Sequence, residues 1–518
     1  MESRIRNVVV VGDTTAGWLS AVYLATVLEA TVQVTVLEAG QPGTYARDVA
    51  ATGGVQALPP QTQDEFFDRI GIQESDWMRS CDASFRVAAR YANWRTGGPA
   101  QWADRERANG SPDSFYDPVG GSGAPISEFP LPYFWSGRRS AGETLEPLDR
   151  ACFREPPLLD ARKAPRWLDG RAALRYGWHV DGALFTAYLR RLGTERAGVR
   201  TARGTLRGVE RDAQGYVVAV VTTDGLRVAG DFFLDCTGTP AALLAGALGE
   251  PRAGDGDRLL CDGVVTLTAP ADPAGVAPYT SLVAAPDGWL WRMPLPGRTG
   301  IGRVYASAFT RPEDAAAELA ALCGLDPEEG DLRHHALPQG RSARAWVKNV
   351  LAVGNAAHVV EPLDSTAHVS DVLEALRLFV THFPSPAARE LPAARYNRAA
   401  ELRHEADRDF VQLHHAAAPR RDTPWWRAQS ALPVSAAVQD RMAAHRGAFP
   451  LPGAHEVRQY ALLTAFDTAL PVAPPALAHL PGQRREADTQ FERVARQQRI
   501  LGETLPTASD YLARLHGK

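Results

Sequence analysis

The chain has 518 residues, of which 45% are hydrophobic and 22% charged, values typical of a globular protein. This composition excludes a disordered or fibrous chain, and a net charge of −4 gives no electrostatic footprint for nucleic acid or for an anionic membrane. No apolar run reaches the ~18 residues that a spanning helix requires. The start of the chain lacks signal-peptide features, so we expect a cytoplasmic protein. Five widely spaced cysteines without a C-x-x-C pair are expected to be buried, reduced thiols.

A dinucleotide-binding β-α-β unit is predicted at the start of the chain. Its elements are a strand at 8–11, the turn Gly12-x-Thr14-x-x-Gly17, a helix at 16–28 and a strand at 32–38. Glu38 ends the second strand ~20 residues past the turn, where an acid can bond a ribose hydroxyl. Thr14 stands where a glycine leaves room for a pyrophosphate, so we expect its side chain to crowd that space.

Later segments extend this pattern. Residues 96–130 lack periodicity and suggest an excursion over the surface. Buried strands at 230–236 and 349–353 each lead into a turn, and the second is expected to continue into a helix. Residues 264–305 alternate apolar and polar side chains, as in an antiparallel sheet, and the chain is mostly helical beyond about residue 370. Strands so far apart in sequence predict interleaved subdomains.

One segment carries a family resemblance. Gly288-Trp289-Leu290-Trp291-Arg292-Met293-Pro294 resembles the W-x-W-x-I-P motif of flavin-dependent tryptophan halogenases. Further similar segments occur in the same order at 76–78, 91–95, 177–181, 278–281, 344–347, 361–366, 408–412, 422–425 and 510–512. The resemblance runs nearly end to end, and the chain is identified as a member of that family.

The resemblance implies an α/β architecture, the flavin-dependent halogenase or monooxygenase-like dinucleotide-binding fold with an antiparallel sheet and a largely helical cap. An FAD-binding-type module is expected over 1–370, with strands at 8–11, 32–38, 230–236 and 349–353 and with inserted substrate segments near 85–180. A mainly helical substrate-side cap is expected over 371–518.

The resemblance also implies a chemistry. In the family, reduced FAD from a separate flavin reductase activates oxygen, chloride is oxidised to hypochlorous acid, and this oxidant reaches an aromatic substrate through a tunnel. A lysine holds or captures the oxidant, a glutamate assists ring deprotonation, and the paired tryptophans separate flavin from substrate. The small-molecule substrate and the reductase are the implied partners, and a homodimer is one option for assembly.

The catalytic positions depart from the family pattern. The lysine position is Arg86, and arginine offers no nitrogen lone pair to attack the oxidant, so a covalent chloramine is not expected there. Arg86 is expected to act as a fixed hydrogen-bond donor or anion clamp; the alternative is an arginine paired to a carboxylate. The glutamate position is Asp364, one methylene shorter, which displaces a catalytic base.

The cofactor and substrate positions are transferred in the same way. The expected flavin contacts are Gly12, Thr14, Thr15, Ala16, Gly17, Glu38, Gly354, Pro362, Leu363, Ser365, Thr366 and Ala367. Ala367 replaces a glycine, which restricts the backbone if that position needs a positive φ. The loop at 50–55 lacks the acid of the family's flavin-contact loop. The expected substrate and tunnel residues are Trp94, Asp117, Val119, Trp289, Trp291 and Pro294.

Three interpretations of the function of this protein remain open. Asp117 and Val119 replace an aromatic platform of the family, which argues against free tryptophan as substrate. The first reading is a flavin-dependent halogenase acting on another electron-rich aromatic natural-product intermediate. The others are a repurposed homologue, either a flavin monooxygenase or a flavin-independent enzyme, and a non-catalytic binding protein. No metal site is expected, because the adjacent pairs His334-His335 and His414-His415 point apart and suit surface or capping positions.

Overall fold

The chain folds into two compact units that alternate along the sequence. This computed structural model describes residues 5–38, 53–97, 113–121, 129–326, 331–384, 390–449, 451, 456–466 and 472–517. The first unit comprises Met1–Ala83, Val180–Asp257 and Arg333–Arg408. The second comprises Ser84–His179, Arg258–Leu332 and Asp409–Lys518.

The strands of the described residues are mostly short. They are β1 (Asn7–Val11), β2 (Gln33–Glu38), β3 (Val55–Leu58), β4 (Ser84–Arg86), β5 (Ala88–Ala92), β6 (Ser114–Pro118), β7 (Gly177–Asp181), β8 (Arg200–Arg203), β9 (Leu206–Arg211), β10 (Val217–Thr222), β11 (Arg227–Ala229), β12 (Phe232–Asp235), β13 (Arg252–Gly254), β14 (Gly263–Pro270), β15 (Tyr279–Ala285), β16 (Gly288–Pro294), β17 (Arg298–Tyr305), β18 (Arg333–Ala336), β19 (Gly340–Ser342), β20 (Trp346–Val347), β21 (Val350–Ala352) and β22 (His358–Val359).

The α-helices become long only towards the end of the chain. They are α1 (Thr15–Val27), α2 (Glu74–Ser80), α3 (Leu131–Ser140), α4 (Leu148–Cys152), α5 (Glu155–Asp160), α6 (Gly182–Glu195), α7 (Pro312–Cys323), α8 (Ala367–Thr381), α9 (Glu390–Ala417), α10 (Pro424–Ala431), α11 (Ala436–Arg446), α12 (Glu456–Phe466), α13 (Pro481–Thr504) and α14 (Ala508–His516). Among the described residues, none of these helices has both the length and the apolar character needed to cross a bilayer.

The first unit is built on a parallel sheet. Its strand order is β21-β12-β1-β2-β8, with β20 added antiparallel at the β21 edge. All four strands predicted from the sequence belong to this sheet, so the interleaved β-α-β arrangement is confirmed. Because parallel strands present their carboxyl ends at one edge, the turns that follow β1, β12 and β21 lie on the same edge.

The second unit contains the antiparallel sheet expected at 264–305. Its strand order is β14-β17-β16-β15-β5-β6, in which only the β15–β5 pair is parallel. Leu290, Ile301 and Leu319 of α7 belong to the core on one face of this sheet. Side chains alternate along β16, so Trp289 and Trp291 lie on the face opposite to Leu290. Beside the sheet, Ser84 of β4 pairs with His179 of β7.

Two local predictions are wrong. The helix expected directly after the turn at Gly354 is replaced by a single 3-10 turn and by β22, and α8 begins only at Ala367. Within the stretch 96–130, residues 114–118 are not a surface excursion but form β6, which pairs with β5. Residues 98–112 and 122–128 of that stretch lie outside the described residues.

Burial corrects one further expectation and supports another. His414 and His415 are fully buried and not at the surface, because their rings pack among Tyr91, Trp94 and neighbouring aromatic side chains of the second unit. None of the five cysteines forms a disulfide, as predicted, and four are buried, whereas Cys323 is half-buried, contrary to the prediction. The contacts place residues 258–332 in the second unit, whereas the predicted FAD-binding-type module over 1–370 and the cap over 371–518 stay predictions.

Candidate functional site

The glycine turn after β1 is built around close backbone contacts. Gly12 has φ +120°, and a Cβ at this position would lie 2.3 Å from the carbonyl oxygen of Cys236, which follows β12. A Cβ at Gly17 would lie 2.1 Å from the carbonyl oxygen of Gly12. Both neighbours are backbone atoms that side-chain motion cannot relieve, so this turn needs glycine at both positions.

Thr14 turns its hydroxyl into the loop and caps α1. Its Oγ1 accepts a hydrogen bond from the Gly17 amide at 3.1 Å and donates to the carbonyl oxygen of Cys236 at 3.1 Å. This is the usual action of threonine at a helix N-cap. The hydroxyl of Thr14 is therefore engaged within the turn, and the crowding of a pyrophosphate stays a prediction.

The next residues begin α1 and fix its first turn. The Thr15 hydroxyl lies 3.2 Å from Oε1 of Gln56 and 2.7 Å from the Thr186 hydroxyl. Ala16 is buried beside them. The threonine contacts join α1 to β3 and α6, and neither contact had a signal in the local sequence.

Glu38 ends β2 as predicted, but two arginines hold its carboxylate. Arg190 donates from Nε to Oε1 at 2.6 Å, and Arg203 donates from Nε to Oε2 at 2.7 Å. Charge-assisted bonds of this kind fix the orientation of a carboxylate. A ribose hydroxyl bound by Glu38 would therefore meet an acid whose position is already set.

The turn after β21 reaches the first turns of two helices. Gly354 has φ +65°, and a Cβ there would lie 3.1 Å from Cβ of Ala16 and 3.2 Å from Cε1 of His368. Three predicted cofactor segments, at the starts of α1 and α8 and around Gly354, therefore come together. His368 is a half-buried neighbour that sequence reasoning missed, although it directly follows the predicted residue Ala367.

Asp364 organises the loop that leads into α8. Its Oδ1 accepts hydrogen bonds from the Thr366 amide at 3.1 Å and from the Thr366 hydroxyl at 2.7 Å. Ala367 is the first residue of α8 and has helical backbone, so its methyl group causes no strain there. Pro362 and Ser365 are half-buried and Leu363 is buried in the same segment.

The loop at 50–55 is described only in part. Residues 50–52 lie outside the described residues. Gly53 and Gly54 have φ +66° and +73°, a conformation that glycine adopts without strain. Val55 then begins β3.

Arg86 belongs to a buried hydrogen-bonded group in the second unit. Arg86 is 5% exposed, and its Nε donates to the hydroxyl of Thr280 at 3.2 Å. The same hydroxyl lies 2.8 Å from Nε2 of His179. Nδ1 of His179 lies 3.5 Å from the hydroxyl of Ser84, which donates to the carbonyl oxygen of Pro294 at 2.6 Å. Burial, and then the charge of Arg86, lower the pKa of His179 well below its usual value, so its ring is neutral.

The paired tryptophans lie side by side on β16. The ring centroids of Trp289 and Trp291 are 5.8 Å apart, and both side chains are buried. A Cβ at Gly302, the β17 partner of Trp291, would lie 2.0 Å from the indole, so this strand must carry glycine beneath the ring. Pro294 closes β16 and accepts the bond from Ser84.

The remaining substrate-side residues differ in environment. Asp117 on β6 forms an ion pair with Arg458 on α12, and the Asp117 Oδ2 to Arg458 Nε distance is 2.5 Å. The Arg458 guanidinium also lies over the ring of Phe410, 4.6 Å from its centroid. Trp94 is 1% exposed within an aromatic cluster, and Val119 bonds through its amide to the Val87 carbonyl.

Comparison with known proteins identifies the family. The family model "Tryptophan halogenase" matches residues 7–469. The chain is 36% identical to the tryptophan 7-halogenase RebH of Lentzea aerocolonigenes and to the tryptophan 6-halogenase ThaL of Streptomyces albogriseolus, covering 100% of each chain in both cases. The chain belongs to the tryptophan halogenase family. The crystal structure of the tryptophan 6-halogenase SttH of Streptomyces toxytricini matches with a TM-score of 0.86 at 30% identity, over 98% of this chain and 99% of that one.

This tryptophan halogenase family member also carries a charged cluster that sequence reasoning missed. In the first unit, Nε2 of His358 lies 3.2 Å from Asp371 and 3.5 Å from Asp407. These three groups are close enough to hold a metal ion. However, Arg403 contacts the carboxylates of Asp371 and Asp407 at 2.6 Å and 3.2 Å. A protonated His358 and Arg403 then balance the two carboxylates without an ion.

The cluster makes stability depend on pH. Burial alone would lower the pKa of His358, but hydrogen bonds and charge from Asp371 and Asp407 raise it to about 9. A histidine with a raised pKa stabilises the fold fully below its unfolded value of ~6.5, and the contribution is lost as pH rises through the folded value. We expect the free energy of unfolding in urea to fall by roughly 3 kcal/mol between pH 6.5 and 9.

Two variants test this expectation. His358→Asn should be less stable at pH 6.5 and should lose most of the pH dependence. His334→Asn, at an exposed position of β18, should retain the wild-type profile. A wild-type profile that is flat from pH 6.5 to 9 would contradict the assigned protonation.

Proposed function

We propose that this chain is a halogenase that uses reduced FAD and acts on an electron-rich aromatic intermediate of natural-product biosynthesis other than free tryptophan. The observation that supports flavin binding is the conformation of Thr14. Its hydroxyl caps α1, and its side chain is buried in the loop. The matched relatives include tryptophan 7- and 6-halogenases, which supports halogenation as the reaction class.

The first unit fits a dinucleotide at the carboxyl edge of its sheet. Gly12 and Gly17 keep side-chain atoms away from the start of α1, where backbone amides and the helix dipole favour a pyrophosphate. Gly354 and the Ser365-Thr366 segment would contact the rest of the cofactor. When bound, reduced FAD together with oxygen supplies the oxidising power that converts halide into hypohalous acid. The reduced cofactor would come from a separate flavin reductase, as in the family.

Arg86 would orient the oxidant without reacting with it. A guanidinium remains protonated in proteins and has no lone pair for attack on hypohalous acid. It can donate hydrogen bonds to the oxygen of the acid and so polarise the oxygen–halogen bond. Asp364 would accept the ring proton that leaves as the carbon–halogen bond forms. Because the side chain of Asp364 is short and bonds to Thr366, we expect slow proton removal and a modest rate of halogenation.

The substrate differs from free tryptophan in this proposal because an ion pair stands at an aromatic position. Asp117 and Arg458 present a carboxylate and a guanidinium, and the guanidinium covers Phe410. Such a pair can bond a hydroxyl, amide or heterocyclic nitrogen on the substrate. It does not provide the stacking surfaces that hold a bare indole, which are worth ~0.5–1.5 kcal/mol for an aromatic pair.

The test is halogenation of an arene panel with reduced FAD, a flavin reductase and chloride or bromide. We expect the wild type to halogenate phenols or substituted indoles more rapidly than tryptophan. The variant Arg86→Lys/Asp364→Glu should raise the rate by about 10-fold, since proton transfer and oxidant capture each gain a better placed group. Arg86→Met is the matched loss control. Halide oxidation that is absent from both the wild type and the double variant, with flavin bound, would overturn the proposal.

One observation favours a second candidate function. Oδ1 of Asp364 already accepts two hydrogen bonds from Thr366, and these bonds compete with a role of Asp364 as a catalytic base. A repurposed homologue that oxygenates its substrate with flavin, or that works without flavin, would retain this fold and lose halogenation. Oxygenated and unhalogenated product in the same assay would identify it, whereas binding without turnover would indicate a binding protein.

A further inference from the structure

The hydrogen bonds of the buried group around Arg86 are consistent with one continuous arrangement of protons. The Ser84 hydroxyl gives its hydrogen to the Pro294 carbonyl at 2.6 Å, so it can only accept from His179. In this arrangement the neutral imidazole carries its proton on Nδ1 and donates to Ser84, which leaves Nε2 as an acceptor. Nε2 in turn receives the hydrogen of the Thr280 hydroxyl, and that hydroxyl accepts from Arg86 Nε. In this arrangement the Ser84 and Thr280 hydroxyls, His179 Nδ1 and Arg86 Nε each donate to one acceptor.

We infer that His179 and Thr280 are positioning residues for Arg86, and that they hold its guanidinium as an oriented donor to hypohalous acid. The inference deepens the proposed function and rests on it only for the identity of the ligand. An arginine side chain has several rotatable bonds, so fixing it in one conformation costs rotamer entropy. The hydrogen bonds of Thr280 and His179 impose this loss of entropy during folding, before any ligand binds.

The geometry defines which atoms face the ligand. The guanidinium is a planar fork, so a bond from Nε to Thr280 restricts the directions in which the terminal nitrogens can point. In the sheet register, Leu282 pairs with Trp291, so Thr280, two residues before Leu282, shares the face of β15 towards which Trp291 projects. Pro294, at the far end of the bond chain, closes the strand that carries this tryptophan. These hydrogen bonds therefore link the orientation of the Arg86 side chain to β16, the strand that carries Trp289 and Trp291.

The first test needs no activity. The tautomer of His179 can be read from its ring-nitrogen chemical shifts in the full-length protein, with His179→Gln to assign the signal among the 13 histidines. We expect a neutral ring protonated at Nδ1 across pH 6–8. A ring protonated at Nε2, or a charged ring at pH 7, would overturn the inference.

The second test separates positioning from packing. Thr280→Val preserves the shape of the side chain but removes the hydroxyl, whereas Thr280→Ser keeps the hydroxyl. For the valine variant we expect the halogenated product per reduced FAD consumed to fall by about 10-fold to 100-fold. Free hypohalous acid, trapped in solution by a reporter diketone, should rise, and KM for the arene should stay constant. The serine variant should recover most of the wild-type ratio.

The outcomes distinguish the inference from the proposed function. A folded valine variant with the wild-type product ratio would overturn the positioning role. Loss of flavin consumption together with product in both variants would indicate a merely structural role, and would likewise overturn it. If the wild type oxidises no halide, the proposed function fails, and the tautomer of His179 alone decides the inference.

Discussion

Gly12→Ala is expected to weaken FAD binding by about 100-fold, which corresponds to roughly 3 kcal/mol. An alanine at φ +120° is strained, and its Cβ would lie 2.3 Å from the Cys236 carbonyl oxygen and 2.7 Å from the carbonyl carbon. Both are backbone atoms, so the turn must move away from the end of β12. That movement displaces the amides at the start of α1, which the pyrophosphate would use. Flavin fluorescence quenching measures the affinity, for which the wild type is expected to lie in the micromolar range.

The controls separate loss of binding from loss of folding. Gly208→Ala in β9 of the same unit adds a methyl group where no atom lies within 4 Å, and it should leave the affinity unchanged. Gly354→Ala meets mainly side-chain atoms and should have a smaller effect, about 10-fold. Circular dichroism shows whether Gly12→Ala still folds. Wild-type affinity in folded Gly12→Ala protein would contradict the assignment of this turn.

Arg303→Met is expected to lower the free energy of unfolding by about 3–5 kcal/mol. Arg303 on β17 is 1% exposed, and it bridges Asp287, in the β15–β16 turn, and Glu318 on α7. Burial, opposed by the charge of Arg303, already raises the pKa of Glu318. Without the guanidinium, two partly buried carboxylates would repel each other with no compensating charge.

A surface pair supplies the matched control. Arg311 pairs with Asp314 three residues later, and both side chains are mostly exposed. Arg311→Met should therefore leave the free energy of unfolding almost unchanged, because solvent screens an exposed ion pair. Urea unfolding followed by tryptophan fluorescence reports both variants. Equal losses for Arg303→Met and Arg311→Met would show that the buried bridge contributes little.

Local sequence signals predicted the framework of the fold well. The β-branched run at 8–11 and the glycine turn predicted a parallel strand and the start of α1, because both features act within a few residues. At Thr14 the structure shows a capping role that the pattern of a nucleotide loop does not include, and the crowding of a pyrophosphate stays a prediction. A threonine three residues before Gly17, at the start of an apolar helix, is also an N-cap signal. This signal predicts that the hydroxyl bonds to a backbone amide in the first turn of the helix.

Long-range partners could not be predicted in the same way. Glu38 was recognised by its spacing, but Arg190 and Arg203 reach it from α6 and β8, and no local pattern links them. His179 and Thr280 each lay within a recognised segment, yet their contact depends on the packing of β7 against the sheet. His414 was expected at the surface because a pair of adjacent histidines in a polar helix gives no sign of the aromatic cluster that surrounds it.

The order of segments along the chain has a consequence for biosynthesis. β1 pairs with β2 on one edge, but its other edge pairs with β12, which lies beyond residue 230. β12 in turn pairs with β21, so the sheet is complete only beyond residue 350. At ~5–20 residues per second, a ribosome needs about 11–44 s to supply β12. Throughout that interval the run Val8–Val11 has an unpaired edge. A nascent chain of this kind should therefore depend on chaperones, and truncations that end before residue 350 should be captured by them and not accumulate as folded fragments.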